Sequence, residues 1–180
     1  IGTQCWFKEN LRNENYNDGS AILTGLDNAT WSSTTDGAMA VYNDDEAVYL
    51  TNAGRLYNWY AVNTGNLCPT GWHVPTSLEY TTLTDGLGGT SVAGDAMKSS
   101  AQDSPAWNGT NSSGFSGLDG GVRYIDGTFI DGGVSCFVWS ATATTSGLFA
   151  SYRKLSSSNS LVGSANGQRE LGLSVRCVRD

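Results

Sequence analysis

Apolar and polar positions along this chain follow two rhythms, a helical spacing in the first half and a two-residue alternation in the last third. Residues 1–11, IGTQCWFKENL, alternate in part and predict a first strand. Residues 12–50 read as irregular, with turn signals at Asn17-Asp18-Gly19 and Asp36-Gly37. In Ala53–Val62 and just beyond, Leu56, Trp59, Tyr60 and Asn63 recur at helical spacing and predict a short amphipathic helix. Thr76-Ser77-Leu78-Glu79 has the form of a capping box, whose hydroxyl and carboxylate satisfy the first unpaired N–H groups of a helix. That helix runs to about Leu87, with Leu78, Leu83 and Leu87 on or near one face, and Gly88-Gly89 ends it.

Residues 90–121 read as loop, with one helical turn around Asp95–Ser99 and with Trp107 and Phe115 pinning the excursion to the core. From Gly121 the rhythm changes. GVRYIDGTFIDGG predicts strand, Asp126-Gly127 turn, strand, because Asp-Gly between alternating apolar residues is a strong hairpin signal. Further strands are expected at Cys136–Ala141, Leu148–Leu155, Ser160–Ser164 and Leu171–Arg179. Two short helices first and small antiparallel sheets last give the class α+β. With no repeat, linker or change of composition, residues 1–180 are expected to form one domain.

Composition narrows the function. Six Trp, eight Tyr and five Phe supply the apolar area of a packed core. Charged residues are only 15% of the chain and the net charge is −7, with no basic cluster. Nucleic acid and anionic membrane surfaces, which demand a basic face, are not expected as partners. No run of about 18 apolar residues is present to insert into a bilayer. The chain opens at Ile-Gly-Thr-Gln without an initiator Met or apolar export segment, as expected of a mature chain or an excised domain.

Four cysteines, Cys5, Cys68, Cys136 and Cys177, allow three full pairings, and none has C-x-x-C spacing. His73, the lone histidine, sits among Trp72 and Val74 and reads as a hydrogen-bonded core residue. No Ser–His–carboxylate pattern supports a hydrolase. Asp44-Asp45-Glu46 reads as solvated loop charge, and Gly120-Gly121 and Gly132-Gly133 as turns, since no phosphate-loop context surrounds them. Neither a catalytic set nor a metal set emerges; Asn and Asp in 103–131 could supply oxygen ligands to a structural calcium ion, the one cofactor considered.

IGTQ-C-W…ENL at 1–11, GRLYNWYAVN at 54–63, LCPTGWHVP at 67–75, GTNSSGFSGL at 109–118, GGVRY…G at 120–127, WSAT at 139–142 and GLSVRCVRD at 172–180 occur in the order found in the Fibrobacter succinogenes major paralogous domain. The chain resembles that family over its whole length. The resemblance implies a C-type-lectin-like fold, some of whose bearers are variable proteins of diversity-generating retroelements. It further implies a Cys68–Cys177 disulfide; Cys5–Cys177 is the rival pairing, and Cys5 and Cys136 are either free or joined to each other. The implied role is an extracytoplasmic, secreted or surface-displayed module that binds a protein or other cell-surface ligand through a variable segment at about 141–171.

One feature of the residues agrees. Retroelement mutagenesis acts at template adenines, so an AAC codon never becomes Lys, Gln, Glu, Trp or Met. Within 141–171 only Lys154, Gln168 and Glu170 belong to that excluded set. Tyr and Phe give contact area at low entropic cost, and Ser, Gly and Asn adapt. The candidate ligand-binding residues are Phe149, Ser151, Tyr152, Lys154, Ser157, Leu161, Gly163, Ala165 and Asn166. Alternation puts Tyr152 and Lys154 on one face, Arg153 and Leu155 on the other. Two rival readings stand beside this one. A structural adhesin module would have no specific ligand, and a relative of formylglycine-generating oxidases would need a close cysteine pair, whereas Cys136 and Cys177 are far apart.

Overall fold

A computed structural model describes residues 1–180. Its elements are α1 (Asn28–Ser33), β1 (Met39–Ala40), a 3-10 turn (Tyr42–Asp44), α2 (Glu46–Ala53), β2 (Leu56–Tyr57), α3 (Trp59–Asn63), β3 (Trp72–His73), α4 (Ser77–Gly86), α5 (Ala93–Met97), β4 (Gly120–Arg123), β5 (Phe129–Gly132), β6 (Ser135–Ala143), β7 (Phe149–Ser156), β8 (Gly163–Gln168) and β9 (Val178–Arg179). Helices precede the main sheet, and the class is α+β. Two details differ from expectation. There are five helices rather than two, and the main sheet, ordered β5-β4-β6-β7-β8, is mixed, since β4 and β6 run parallel.

The predicted helix over 53–62 is in fact three pieces. Gly54, at φ 77°, ends α2, and a Cβ there would lie 2.8 Å from Asn10 Cβ. Leu56 and Tyr57 then pair with Ala40 and Met39. Asn58 restarts a helix, its side-chain oxygen accepting from the Ala61 N–H at 3.1 Å and the Ala38 N–H at 2.9 Å. Strand and helix together imitate one helical spacing.

Residues 1–11 form no strand; Trp6 makes one bridge to Val178, and Asn10 turns inward to Ala53 O (2.7 Å) and Ser174 Oγ (3.2 Å). The last segment is not one strand either. It makes single bridges from Gly172 to Arg123, Leu173 to Tyr57 and Ser174 to Val138 before β9 pairs with β3, so no partner runs alongside it for long. The strand expected at 160–164 starts at Gly163, because the Ser160 carbonyl accepts from Gly94 N–H (2.9 Å) and the Val162 N–H donates to Thr90 (2.8 Å).

The capping box of α4 forms as predicted, with Thr76 N–H donating to Glu79 Oε2 at 2.7 Å and Glu79 N–H to Thr76 Oγ1 at 3.3 Å. The Asp126-Gly127 turn joins β4 to β5, and β6 and β7 cover the expected strands. Trp31, Trp59 and Trp139 are fully buried, and each indole N–H reaches a carbonyl at 2.9 Å, of Glu170, Ser140 and Tyr57 in turn. A buried indole without such a partner would forfeit much of its burial energy. These three bonds tie the first half of the chain to the last. No helix is long and apolar enough to cross a membrane.

Candidate binding surface

Within 141–171 only Ala150, Ser151, Arg153, Leu155, Val162 and Gly167 are buried. Their positions follow from strand register. Arg153 and Leu155 face α4, Leu155 packing in a cluster with Tyr80, Leu83, Met97 and Phe115: Arg153 donates to Ser77 O (2.9 Å) and Ser164 Oγ (2.9 Å) and lies over the Tyr80 ring, 5.6 Å from its centroid. Tyr152 and Lys154 point the other way. Tyr152 meets Phe137 and Trp139 edge-on at 5.8 and 6.1 Å, and Lys154 Nζ sits 4.9 Å from the centre of Phe137. Both remain part-exposed.

The register Tyr152↔Ala165 and Lys154↔Gly163 places these four of the predicted residues on one face. Asn166 pairs with Ser151 and Phe149 with Gln168, which assigns them to the opposite face. Ser157 and Leu161 lie in the β7–β8 connection, Ser157 part-exposed and Leu161 exposed. The nine residues therefore divide between two faces and a loop rather than making one patch. Ser151 is a correction. It is 8% exposed and lies beside Arg153, whose Nη1 is 3.4 Å from its hydroxyl, because it shares the inward phase of Arg153 and Leu155.

The β7–β8 connection is held from beneath by Lys98, a buried lysine. Its ammonium donates to Ser156 O (3.2 Å) and Asn159 O (3.0 Å), pairs with Asp95 at 3.0 Å, and stands 5.7 Å from the Trp107 ring centre. Sequence reasoning passed over Lys98, and a lone lysine among polar residues offers no signal of burial. It passed over the arginines too. Arg55 reaches Glu46 (2.6 Å) and Glu14, and Arg123 stacks 4.3 Å from Trp31 while donating to Leu26 O (2.6 Å). Arg176 makes only hydrogen bonds to neutral oxygens. Their signal is their place inside apolar motifs, GRLYNWY, GGVRY and SVRCV, where a solvated charge has no reason to be.

Cys68 and Cys177 form a disulfide across a sequence separation of 109, while Cys5 and Cys136 are unpaired, Cys5 exposed and Cys136 buried. Burial pushes the Cys136 thiol up to about 11. His73 is not a core residue: part-exposed, it bridges Asp180 (Nδ1, 2.6 Å) and Glu79 (Nε2, 2.8 Å). Burial would lower its pKa, but hydrogen bonds to these two carboxylates outweigh that and raise it. The acidic triplet also differs from expectation. Asp45 caps α2 through Val48 N–H, Glu46 pairs with Arg55, and Asp44 lies 3.8 Å from Arg123.

In 103–131, Asp103 accepts from Ser100 N–H (2.6 Å) and Asn111 Nδ2 (2.9 Å), and Asp126 from Thr128 N–H (2.9 Å) and its hydroxyl (2.6 Å). These carboxylates close turns, and no group of three or more His, Cys, Asp or Glu side chains converges to hold a metal. Residues 1–179 match the family model described as Fibrobacter succinogenes major domain. No curated protein and no solved structure matches the chain.

Proposed function

The chain belongs to the Fibrobacter succinogenes major domain family, and from that premise we propose that it is a secreted or surface-displayed binding module of C-type-lectin-like fold. Residues 141–171 form its variable segment, and it catalyses no reaction. The ligand is a protein or other cell-surface molecule met by the outward residues of β7, β8 and their connection. The reading extends to a variable protein of a diversity-generating retroelement.

One observation carries the proposal: the β7–β8 connection is anchored mainly through its own main chain. Lys98 grips the carbonyls of Ser156 and Asn159; Val162 and Ser160 bond through backbone N–H and C=O to Thr90 and Gly94. Side chains fix the flanking strands instead: Ala150, Arg153 and Leu155 are buried in β7, Tyr152 and Leu171 pack on the core, and within the connection Val162 alone is buried. Main-chain anchors are indifferent to side-chain identity, so the outward positions change without disturbing the frame. Against the oxidase reading, Cys177 is tied in a disulfide and Cys136 is buried, so neither offers the accessible thiolate that chemistry needs.

The test is a library randomised at Phe149, Lys154, Leu161, Ala165 and Asn166. We expect most members to melt close to the parent and to differ in the cell-surface proteins they retain. Broad unfolding across the library would overturn the proposal. Sequencing of the DNA beyond the gene decides the retroelement reading: a reverse transcriptase with a near-copy of the 141–171 coding region, differing at adenines, is the expected find, and its absence removes that part.

A further inference from the structure

Away from β7 and β8, a cleft of about 470 Å³ opens between the 3-10 turn, α2 and the β4–β5 hairpin. Tyr42 and Tyr49 form one wall, ring centres 5.0 Å apart and tilted by 60°. Tyr42 is seated against bare backbone. The Gly132 N–H donates to its hydroxyl at 3.1 Å, and a Cβ at Gly132 would lie 2.4 Å from the ring's Cζ. A Cβ at Gly121 would lie 2.6 Å from Cε2. The two glycines are thus a slot that holds this ring in place.

Asp119 lines the same cleft, part-buried, and no cation of the chain lies within ion-pair distance of its carboxylate. Burial raises its pKa, the response of a carboxylate that lacks a counter-charge. Asn43 and Asn52 complete the rim with polar side chains. An aromatic wall and an unpaired carboxylate make a set complementary to a compact N–H-bearing cation.

We propose that this cleft binds an organic monocation, the ammonium or guanidinium end of a lysine or arginine side chain of a partner polypeptide, with Asp119 as counter-ion and Tyr42 and Tyr49 as the wall. The net charge of −7 favours the encounter. The site is independent of the role assigned to residues 141–171.

The test is an amide-resonance titration of the isotope-labelled chain with N-acetyl-lysine methylamide and N-acetyl-arginine methylamide, and with the neutral norleucine analogue as control. Saturable shifts at Asn43, Gly132 and Gly133 are expected from the cations alone. Asp119→Asn should weaken binding by about tenfold or more, since a charge-assisted pair becomes a neutral one. An absence of saturation, an equal response to norleucine, or undiminished binding by Asp119→Asn would overturn the proposal. Should that variant fail to fold, Tyr49→Leu carries the same test, and unaltered binding there overturns it. Saturation by methyl glucoside without response to the cations would also defeat it and mark a saccharide site.

Discussion

Arg176 is a cation at 0% exposure with no carboxylate to neutralise it. Its Nε donates to Asn10 Oδ1 at 2.8 Å, Nη1 to Phe7 O at 3.2 Å and to Phe115 O, and Nη2 to Ser116 O at 2.8 Å. Its guanidinium lies 4.3 Å from the centre of the Phe115 ring, and desolvation pushes its pKa down to about 10. Three chain segments meet on this one side chain. Arg176→Met keeps most of the volume but strands four oxygens, two of them in fully buried bonds. Hydrogen bonds to a charged group contribute about 1.5–3 kcal/mol each, and relief from burying the cation offsets part of the sum. A net loss of about 3–5 kcal/mol follows, a large fraction of a typical total of about 5–15 kcal/mol. Arg176→Lys retains the charge but has no planar fork, so it should recover less than half of that loss. Urea unfolding followed by tryptophan fluorescence, with the disulfide intact, measures both. A methionine variant within about 0.5 kcal/mol of wild type at unchanged m-value would refute the reasoning, because packing alone would then hold the crossing.

Replacing Cys68 and Cys177 together by Ala frees a loop spanning 109 positions, and the chain-entropy model gives a loss of about 5 kcal/mol, read as a lowered urea midpoint. For His73, whose folded pKa is raised, the stabilisation is complete below its ordinary value of 6.5 and disappears as pH rises through the raised value. Urea midpoints of wild type should therefore fall above neutrality relative to acidic pH, and His73→Asn should remove that fall; identical pH profiles would sink the assignment. Leu155→Ala should cost about 2–5 kcal/mol, whereas Leu161→Ala, at 50% exposure, should stay within about 0.5 kcal/mol in the same assay. Thr76→Ala, which breaks the capping box of α4, should cost about 1 kcal/mol of thermal stability.

The α4 capping box and the Asp126-Gly127 hairpin were legible because each is decided within a few residues. The break at Gly54 was not, since its cause is the approach of Asn10, over forty positions away. The same holds for the final segment, whose bridges to Arg123, Tyr57 and Val138 come from three separate parts of the chain. Alternation separated Arg153 and Leu155 from Tyr152 and Lys154, and the structure buries the first pair and leaves the second part-exposed. It should also have excluded Ser151, which shares the phase of Arg153. A small polar side chain reads as surface in any composition argument, and only its register beside a buried guanidinium shows otherwise.

That failure bears on how the proposed binding segment would work. Polarity does not separate frame from variable position here, because the frame itself is built from polar groups: Ser151, Arg153, Lys98 and a set of main-chain carbonyls. What separates them is whether the side chain or the backbone makes the anchoring bond. Ser156 and Asn159 are bonded through their carbonyls, which any residue except one that distorts the turn would present equally well. Arg153 is bonded through its guanidinium, which no other side chain replaces. Tolerance to substitution should therefore follow the side-chain or main-chain origin of each anchor rather than hydrophobicity. On that criterion Ser157 and Leu161, for which only main-chain contacts to the frame are seen, are freer than Tyr152, whose ring packs on Phe137 and Trp139.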